Sequence, residues 1–232
     1  MNKKHNNITI VGAGGIGCHL IPMLAFLSGK TRIIDGDSYE PENCTRQFPA
    51  LKETANKAQT MAHIVRERSQ GIIEWRGEYI TPQNKFELID PETSLIVSCV
   101  DNNETRNLLA GACYSLGVPG IMAGNSDTFG EAHLVLPPDY DPFQFFDFPM
   151  KGRQPWGCNT DKELDERPQT AVANMLAAGA AMAIFNSLCA DKKPEHTMAW
   201  CHVDGPKAQS KRVIDLFRER DDEEKVKMLI NG

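Results

Sequence analysis

Three groups of residues in this 232-residue chain have the types and spacing to work on a phosphorylated ligand. The first is Gly12-Ala13-Gly14-Gly15-Ile16-Gly17, which follows the apolar run at 8–11 and opens a helical pattern at 16–27. Glycines there allow a tight turn and close backbone approach, and a helix N-terminus presents amide donors to a phosphate. Asp35 closes a second apolar run at 32–35, 23 positions after Gly12, where a carboxylate can accept from ribose hydroxyls. These features indicate a nucleotide and leave its identity open. A purely structural glycine turn is the alternative.

The second group discriminates among nucleotides. Residues 36–49 carry Gly36, Pro41 and Pro49 without a period, so they read as a loop, with Asp37, Asn43, Arg46 and Gln47 inside it. Lys57 follows near the start of the next helical pattern, 57–68. In a dehydrogenase the second strand passes quickly into its crossover helix, so the arginine-bearing loop argues against one. An arginine and a lysine added to a glycine-rich turn supply charge for a triphosphate, more than a diphosphate needs. Taken alone, Arg46 and Lys57 also read as ordinary surface cations. The third group is the run 97–102, with Asp101 and Asn102 at the end of a fourth strand. A carboxylate in that crevice can hold Mg²⁺, which takes oxygen ligands and bridges phosphates. Asp101 or Asn102 also suits the cap of a helix at 104–116, and the two roles are compatible.

The elements that position these groups alternate. Strand-like runs at 8–11, 32–35, 72–80, 95–99 and 118–122 are separated by helical patterns, and Thr81-Pro82 reads as a helix cap followed by proline. Such alternation predicts a Rossmann-like, doubly wound α/β fold: a mostly parallel sheet with helices on both faces and the ligand at the strands' carboxyl ends. The second half differs. A strand at 133–136 is followed by an aperiodic stretch, 137–168, that holds Phe143, Phe145, Phe146, Phe148 and Trp156. A structureless loop of that length is usually functional or mobile. These aromatics either dock the loop onto the body or grip an apolar patch on a protein substrate. The helix at 170–188 is apolar nearly all round, which predicts burial, with Met175 and Met182 in the core. Runs at 198–203 and 211–216 predict a C-terminal hairpin around Asp204-Gly205-Pro206, ahead of a solvated helical tail at 218–227. One domain over 1–232 is expected: a nucleotide-binding core at 1–136, a crossover loop at 137–168, and the late helix, hairpin and tail at 169–232.

Composition removes other classes. Net charge is 25 − 31 = −6, which argues against a generic nucleic-acid binder and against an anionic membrane surface. No run approaches about 18 uninterrupted apolar residues, so no membrane span is expected. The polar start at 1–7 lacks an apolar signal core, which favours the cytoplasm. The seven cysteines are odd in number, and the closest two, Cys189 and Cys201, are twelve apart. That is neither a CxxC knuckle nor a disulfide framework, so free thiols are expected. Cys18, Cys99 and Cys113 fall in core-like segments and read as inert, and Cys18 and His19, adjacent on a helix, point apart.

GAGGIG, then IDGD-x5-NCTRQF, then Lys57, then CVDNNETRNLL resembles, in order and spacing, the ThiF/MoeB/HesA family, relatives of the ubiquitin-activating enzymes. The resemblance covers about residues 7–136 and returns at 168–188. It implies a cofactor site for Mg·ATP built from Gly12, Ala13, Gly14, Gly15, Gly17, Asp35, Asp37, Asn43, Arg46, Gln47, Lys57, Asp101 and Asn102. Asp35 would take the ribose, Arg46 and Lys57 the phosphates, and Asp101 the metal. The implied activity is adenylation of a carboxylate, usually the C-terminal glycine of a ubiquitin-like protein. Such a carboxylate is ionised near neutral pH, with a pKa of roughly 3.3–3.7, so its attack needs no general base. The implied catalytic set is therefore Arg46, Lys57 and Asp101, with no His or Ser.

The departures matter as well. The paired CxxC motifs that hold a structural zinc in many relatives are missing, so zinc is not expected. Some relatives take an arginine from the N-terminal helix of a partner subunit; here either Lys3 or Lys4 is expected to substitute, or the contact of an expected homodimer differs. Cys158 lies roughly where relatives place the cysteine that captures the activated carbonyl, and it stands either as that nucleophile or as an incidental loop thiol. At 232 residues the chain is expected to be too short for the extra catalytic-cysteine and ubiquitin-fold domains of the large eukaryotic activating enzymes, so a minimal activator is expected, handing its product to a conjugating enzyme or sulfur carrier. The rivals are adenylation of a small-molecule, peptide or tRNA-base carboxylate, and a non-catalytic half of a heterodimeric activating enzyme.

Overall fold

The computed structural model describes residues 5–49, 55–125, 129–137, 170–190, 198–204 and 207–212. Its strands form one eight-stranded sheet in the order β3-β2-β1-β4-β5-β6-β7-β8. The first five are β1 (Asn7–Val11), β2 (Lys30–Ile34), β3 (Ile72–Arg76), β4 (Leu95–Ser98) and β5 (Gly120–Asn125), all parallel to their neighbours. The last three, β6 (Phe129–Val135), β7 (Met198–Asp204) and β8 (Lys207–Arg212), extend the sheet antiparallel. The expected doubly wound α/β architecture is present.

Both faces of the sheet are covered, which is why β4 reads as a nearly continuous apolar run and why β1 and β2 end on the apolar pairs Ile10-Val11 and Ile33-Ile34. On one face Ile8, Ile10, Ile33 and Val97 pack with α1 (Gly17–Leu27), α2 (Lys57–Arg66) and the late helix α5 (Ala171–Cys189), through Leu20, Leu24, Met61, Val65, Ala177 and Phe185. On the other, Val11, Ile34, Ile96 and Met122 pack with α3 (Lys85–Leu88) and α4 (Asn103–Leu116), through Leu88, Leu109 and Cys113. Cys18, Cys99 and Cys113 are buried as expected, and burial pushes their thiols up to about 11, 12 and 12.

The register brings the ends of three strands level. Val11 pairs with both Ile34 and Ser98. Beyond that line the Gly12 N–H donates to the Ile34 carbonyl at 2.9 Å, and the Cys99 N–H to the Val11 carbonyl at 2.7 Å. Gly12, Asp35 and Cys99 thus leave the sheet side by side.

Several boundaries move. β3 stops at Arg76 rather than running to 80, because the chain bends at Glu78. Thr81-Pro82 opens a turn instead of a helix: the Thr81 N–H and hydroxyl both bond the Asn84 carboxamide oxygen, and α3 starts at Lys85. The hairpin is present, but β8 begins at Lys207, four residues early, held by main-chain pairing in a sequence without an apolar signal. Met175 is not core. It is 57% exposed beside Val172 at 52%, since only the inner face of α5 lies on β5, β6 and β7, while Met182 packs partly against the core. This same helix reaches the length and apolarity of a membrane span, contrary to the expectation above; half of it is buried against the sheet, as in a core helix. Residues 138–169, with Cys158, the five aromatics and the crossover loop, and the tail at 218–227 lie outside the described residues.

Candidate functional site

A cleft of about 560 Å³ opens over the carboxyl ends of β1, β2 and β4. Eleven of the thirteen residues expected at the cofactor line it: Gly12, Gly14, Gly15, Asp35, Asp37, Asn43, Arg46, Gln47, Lys57, Asp101 and Asn102. Ala13 and Gly17 do not. Ala13 is fully buried and contributes its N–H to Asp35, at 2.6 Å. A Cβ on Gly17 would come within 2.1 Å of the Gly12 carbonyl oxygen, so this glycine lets α1 start tight against the turn. Gly12 has φ +96°, and a Cβ there would sit 2.7 Å from the Cys99 carbonyl carbon and oxygen. At Gly14 the nearest atom to a Cβ would be Gln47 Nε2, 3.9 Å away, which leaves open space for a ligand to approach the backbone.

The loop after β2 is fixed largely by Asn56, which sequence reasoning passed over. Its Oδ1 accepts from the Gln59 N–H at 3.0 Å and caps α2. Its Nδ2 donates to the Asp35 and Asp37 carbonyls, at 2.9 and 3.0 Å. One carboxamide therefore binds the end of β2 to the start of α2 and sets Lys57 at the cleft. Lys57 is 8% exposed, and its Nζ lies 3.0 Å from Asp37 Oδ2. The Tyr79 hydroxyl bonds the other oxygen of Asp37, and the Tyr79 ring lies against Gly36 as a further wall. Burial alone would raise the Asp37 carboxyl; the Tyr79 hydroxyl and the Lys57 ammonium outweigh it and hold the group below its ordinary value. Asp35 goes the other way. Burial raises it, offset only in part by the N–H groups of Ala13 and Asp37 and by the Lys57 charge.

Asn43 and Arg46 sit on a 3₁₀ turn, Pro41–Thr45, and at its C-cap. Asn43 is buried, with its carboxamide oxygen accepting from the Glu40 N–H at 3.1 Å. The Arg46 N–H donates to the Asn43 carbonyl at 3.1 Å, and Arg46 lines the cleft. Gln47 is buried at the wall, and its Oε1 has no hydrogen-bond partner among the described residues. A buried acceptor without a partner costs free energy unless a ligand or water satisfies it. At the end of β4, Asn102 caps α4 by accepting from the Thr105 N–H at 2.8 Å, while Asp101 is exposed at the cleft. Of the two capping candidates, Asn102 takes the role. Among the described residues no three His, Cys, Asp or Glu side chains converge. A cation here would therefore be held by Asp101 together with oxygens of the ligand.

Two buried asparagines, Asn125 at the end of β5 and Asn174 in the first turn of α5, also line the cleft. Neither belongs to a motif, and their meeting depends on tertiary packing alone. The whole fits a nucleoside triphosphate: an open backbone cradle at Gly14, an acidic group beside the turn, two cations, and an unsatisfied amide oxygen.

The model of the ThiF family matches residues 3–226. The chain is 27% identical over 173 residues to the SUMO-activating enzyme subunit uba-2 of Caenorhabditis elegans, across 69% of this chain and 30% of that protein. It is 31% identical over 162 residues to ubiquitin-like modifier-activating enzyme 5 of Dictyostelium discoideum, across 62% and 42% respectively. Against the adenylyltransferase and sulfurtransferase MOCS3 of Anopheles gambiae it is 31% identical over 130 residues, across 54% and 29%. Among solved structures, E. coli MccB with ATP superposes with a TM-score of 0.69 at 21% identity, over 90% of this chain and 64% of that one. The chain thus spans less than half the length of these three relatives and under two thirds of MccB. At such identity the likeness to MccB shows the fold.

Proposed function

The chain belongs to the ThiF family, and on that premise we propose that it activates a carboxylate by adenylation with ATP. The acceptor's ionised oxygen attacks the α-phosphorus, the bond to the β-phosphoryl oxygen breaks, and pyrophosphate leaves with the electron pair. No proton moves in this step. The barrier is one anion meeting another, so what catalysis requires is preorganised positive charge. The observation that carries the reading is the convergence of Arg46 and Lys57 on one cleft with the glycine turn and Asp101.

Arg46 and the turn's amides would hold the triphosphate. Lys57 would exchange Asp37 for a phosphate oxygen, leaving Asp37 with its Tyr79 bond. Asp35 would take the ribose. Asp101 would hold Mg²⁺, whose chemistry when bound is to supply positive charge against that developing on the leaving group. The acceptor class is the C-terminal glycine of a ubiquitin-like protein, which the names of the relatives from C. elegans and D. discoideum support. A peptide carboxylate is the second reading, because the superposing MccB is described as a microcin C7 biosynthetic enzyme in complex with N-formylated MccA. A homodimer in the cytoplasm, with release to a conjugating enzyme or sulfur carrier, completes the proposal, and Cys158 is its candidate thioester nucleophile.

The test is isotope exchange between labelled pyrophosphate and ATP, run with Mg²⁺ and either a ubiquitin-like protein ending in Gly-Gly or a short peptide. Acceptor-dependent exchange that disappears in Asp101→Ala is expected. Nicotinamide nucleotide binding without any exchange would overturn the assignment. Cys158→Ser should spare exchange and remove only a reducible adduct.

A further inference from the structure

The carboxamide of Asn174 is fully buried in a helix whose inner face is otherwise alanine and larger apolar residues. Burying such a group is costly unless its hydrogen bonds are made. Here both ends are used. Its Oδ1 accepts from Asn125 Nδ2 at 2.6 Å, and its Nδ2 donates to the main-chain carbonyl of Arg46 at 3.3 Å. A carbonyl oxygen can only accept, so the orientation of the amide is fixed by chemistry. The same carboxamide lies against Gly15: a Cβ there would be 2.5 Å from Asn174 Nδ2. One side chain therefore touches the glycine turn, the end of β5 and a residue 128 positions away in the arginine-bearing loop.

We propose that Asn174, oriented by Asn125, is a positioning residue that fixes Arg46 relative to the glycine turn and so sets the protein's preference for a triphosphate. Arg46 has its N–H tied to Asn43 and its carbonyl tied to Asn174, so its side chain starts from a main chain held at both polar atoms. An arginine held this way loses little freedom on meeting a phosphate, which is the source of preorganised affinity. The proposal rests on the reading of Arg46 as a triphosphate-binding cation.

Titration calorimetry with Mg·ATP and with AMP gives the ratio of the two dissociation constants, and needs no acceptor. Asn174→Ala should lower the preference for ATP about tenfold while AMP affinity stays within about twofold; general loss of structure would weaken both. Arg46→Ala should lower the same ratio at least as far, and adding Asn174→Ala to it should change the ratio less than about twofold further. If Asn174→Ala fails to fold by circular dichroism, Asn125→Ala removes only the orienting bond and should lower the ratio about threefold. An unchanged ratio in the folded asparagine variant, with a collapsed ratio in Arg46→Ala, overturns the proposal alone. A ratio indifferent to Arg46→Ala overturns the reading beneath it.

Discussion

At Gly12 two constraints coincide: a φ of +96°, and the main chain of Cys99 2.7 Å from where a Cβ would stand. Either alone asks for glycine. Gly12→Ala must therefore push β1 from β4 or strain its own backbone, at about 1–3 kcal/mol. Gly14 differs, with an ordinary 3.9 Å contact as its nearest neighbour. Thermal denaturation should show Gly12→Ala clearly destabilised and Gly14→Ala close to the unaltered chain. ATP titration should show both weakened, the second because a methyl group occupies the ligand's approach. Equal stability of the two variants would contradict the packing. The glycine pattern, Asp35, Arg46, Lys57 and Asp101 were all legible as residue types at set spacing. Asn56, Asn125 and Asn174 were not, because an asparagine declares its role only through its partners, and Asn174 finds one of its partners 128 residues away.

Among the elements, β2 carries a second charged group at its outset, remote from the cleft lining. Lys30 lies 2.5 Å from Asp90, and Arg32 lies 2.5 Å from Glu74 and 3.4 Å from Asp90. Arg32 and Asp90 are nearly buried, and Arg32 also donates to the Leu88 carbonyl at 3.2 Å, which fastens α3 beneath β2. Burial opposes ionisation of Asp90 and Glu74, but the bond from Lys30 to the first and from Arg32 to the second prevail and hold both below their ordinary values. A carboxyl depressed in the folded state contributes stability that is complete above its unfolded pKa, about 4, and is lost as pH falls through the folded one. Asp90→Asn should cost about 3 kcal/mol at neutral pH, by leaving the buried Arg32 and the half-buried Lys30 short of a partner, and should flatten the loss of stability below about pH 4. Denaturant midpoints across pH 2–7 would check both; an unchanged acid limb would place the titration elsewhere. No reading of the sequence found this network, since Arg32 and Glu74 meet only through the β2–β3 register. The apolar strands and amphipathic helices were legible because their periodicity is local. The limits of β8 and the open face of α5 were not, because pairing and coverage are decided by neighbours far along the chain.

Over the whole molecule, the parallel strands collect the chemistry and the antiparallel ones brace it. Gly12, Asp35 and Asp101 come from the ends of three adjacent strands, whereas β6 and β7 support α5, which reaches back to the cleft through Asn174. A ligand seated there would touch the glycine turn, the loop after β2, the start of α4 and the start of α5 at once. Its binding energy would then be shared by the sheet's two halves and should appear as global stabilisation. For one site, ligand at a hundred times its dissociation constant adds about 2.7 kcal/mol. In a chain of this size each kcal/mol is worth roughly 2–4 °C, so saturating Mg·ATP should raise the melting temperature by about 5–11 °C. Arg46→Ala and Lys57→Ala should each remove more than half of that rise at the same nucleotide concentration. A full rise in both variants would mean that the phosphates lie away from the two cations, and the adenylation chemistry would lose the charge on which it depends.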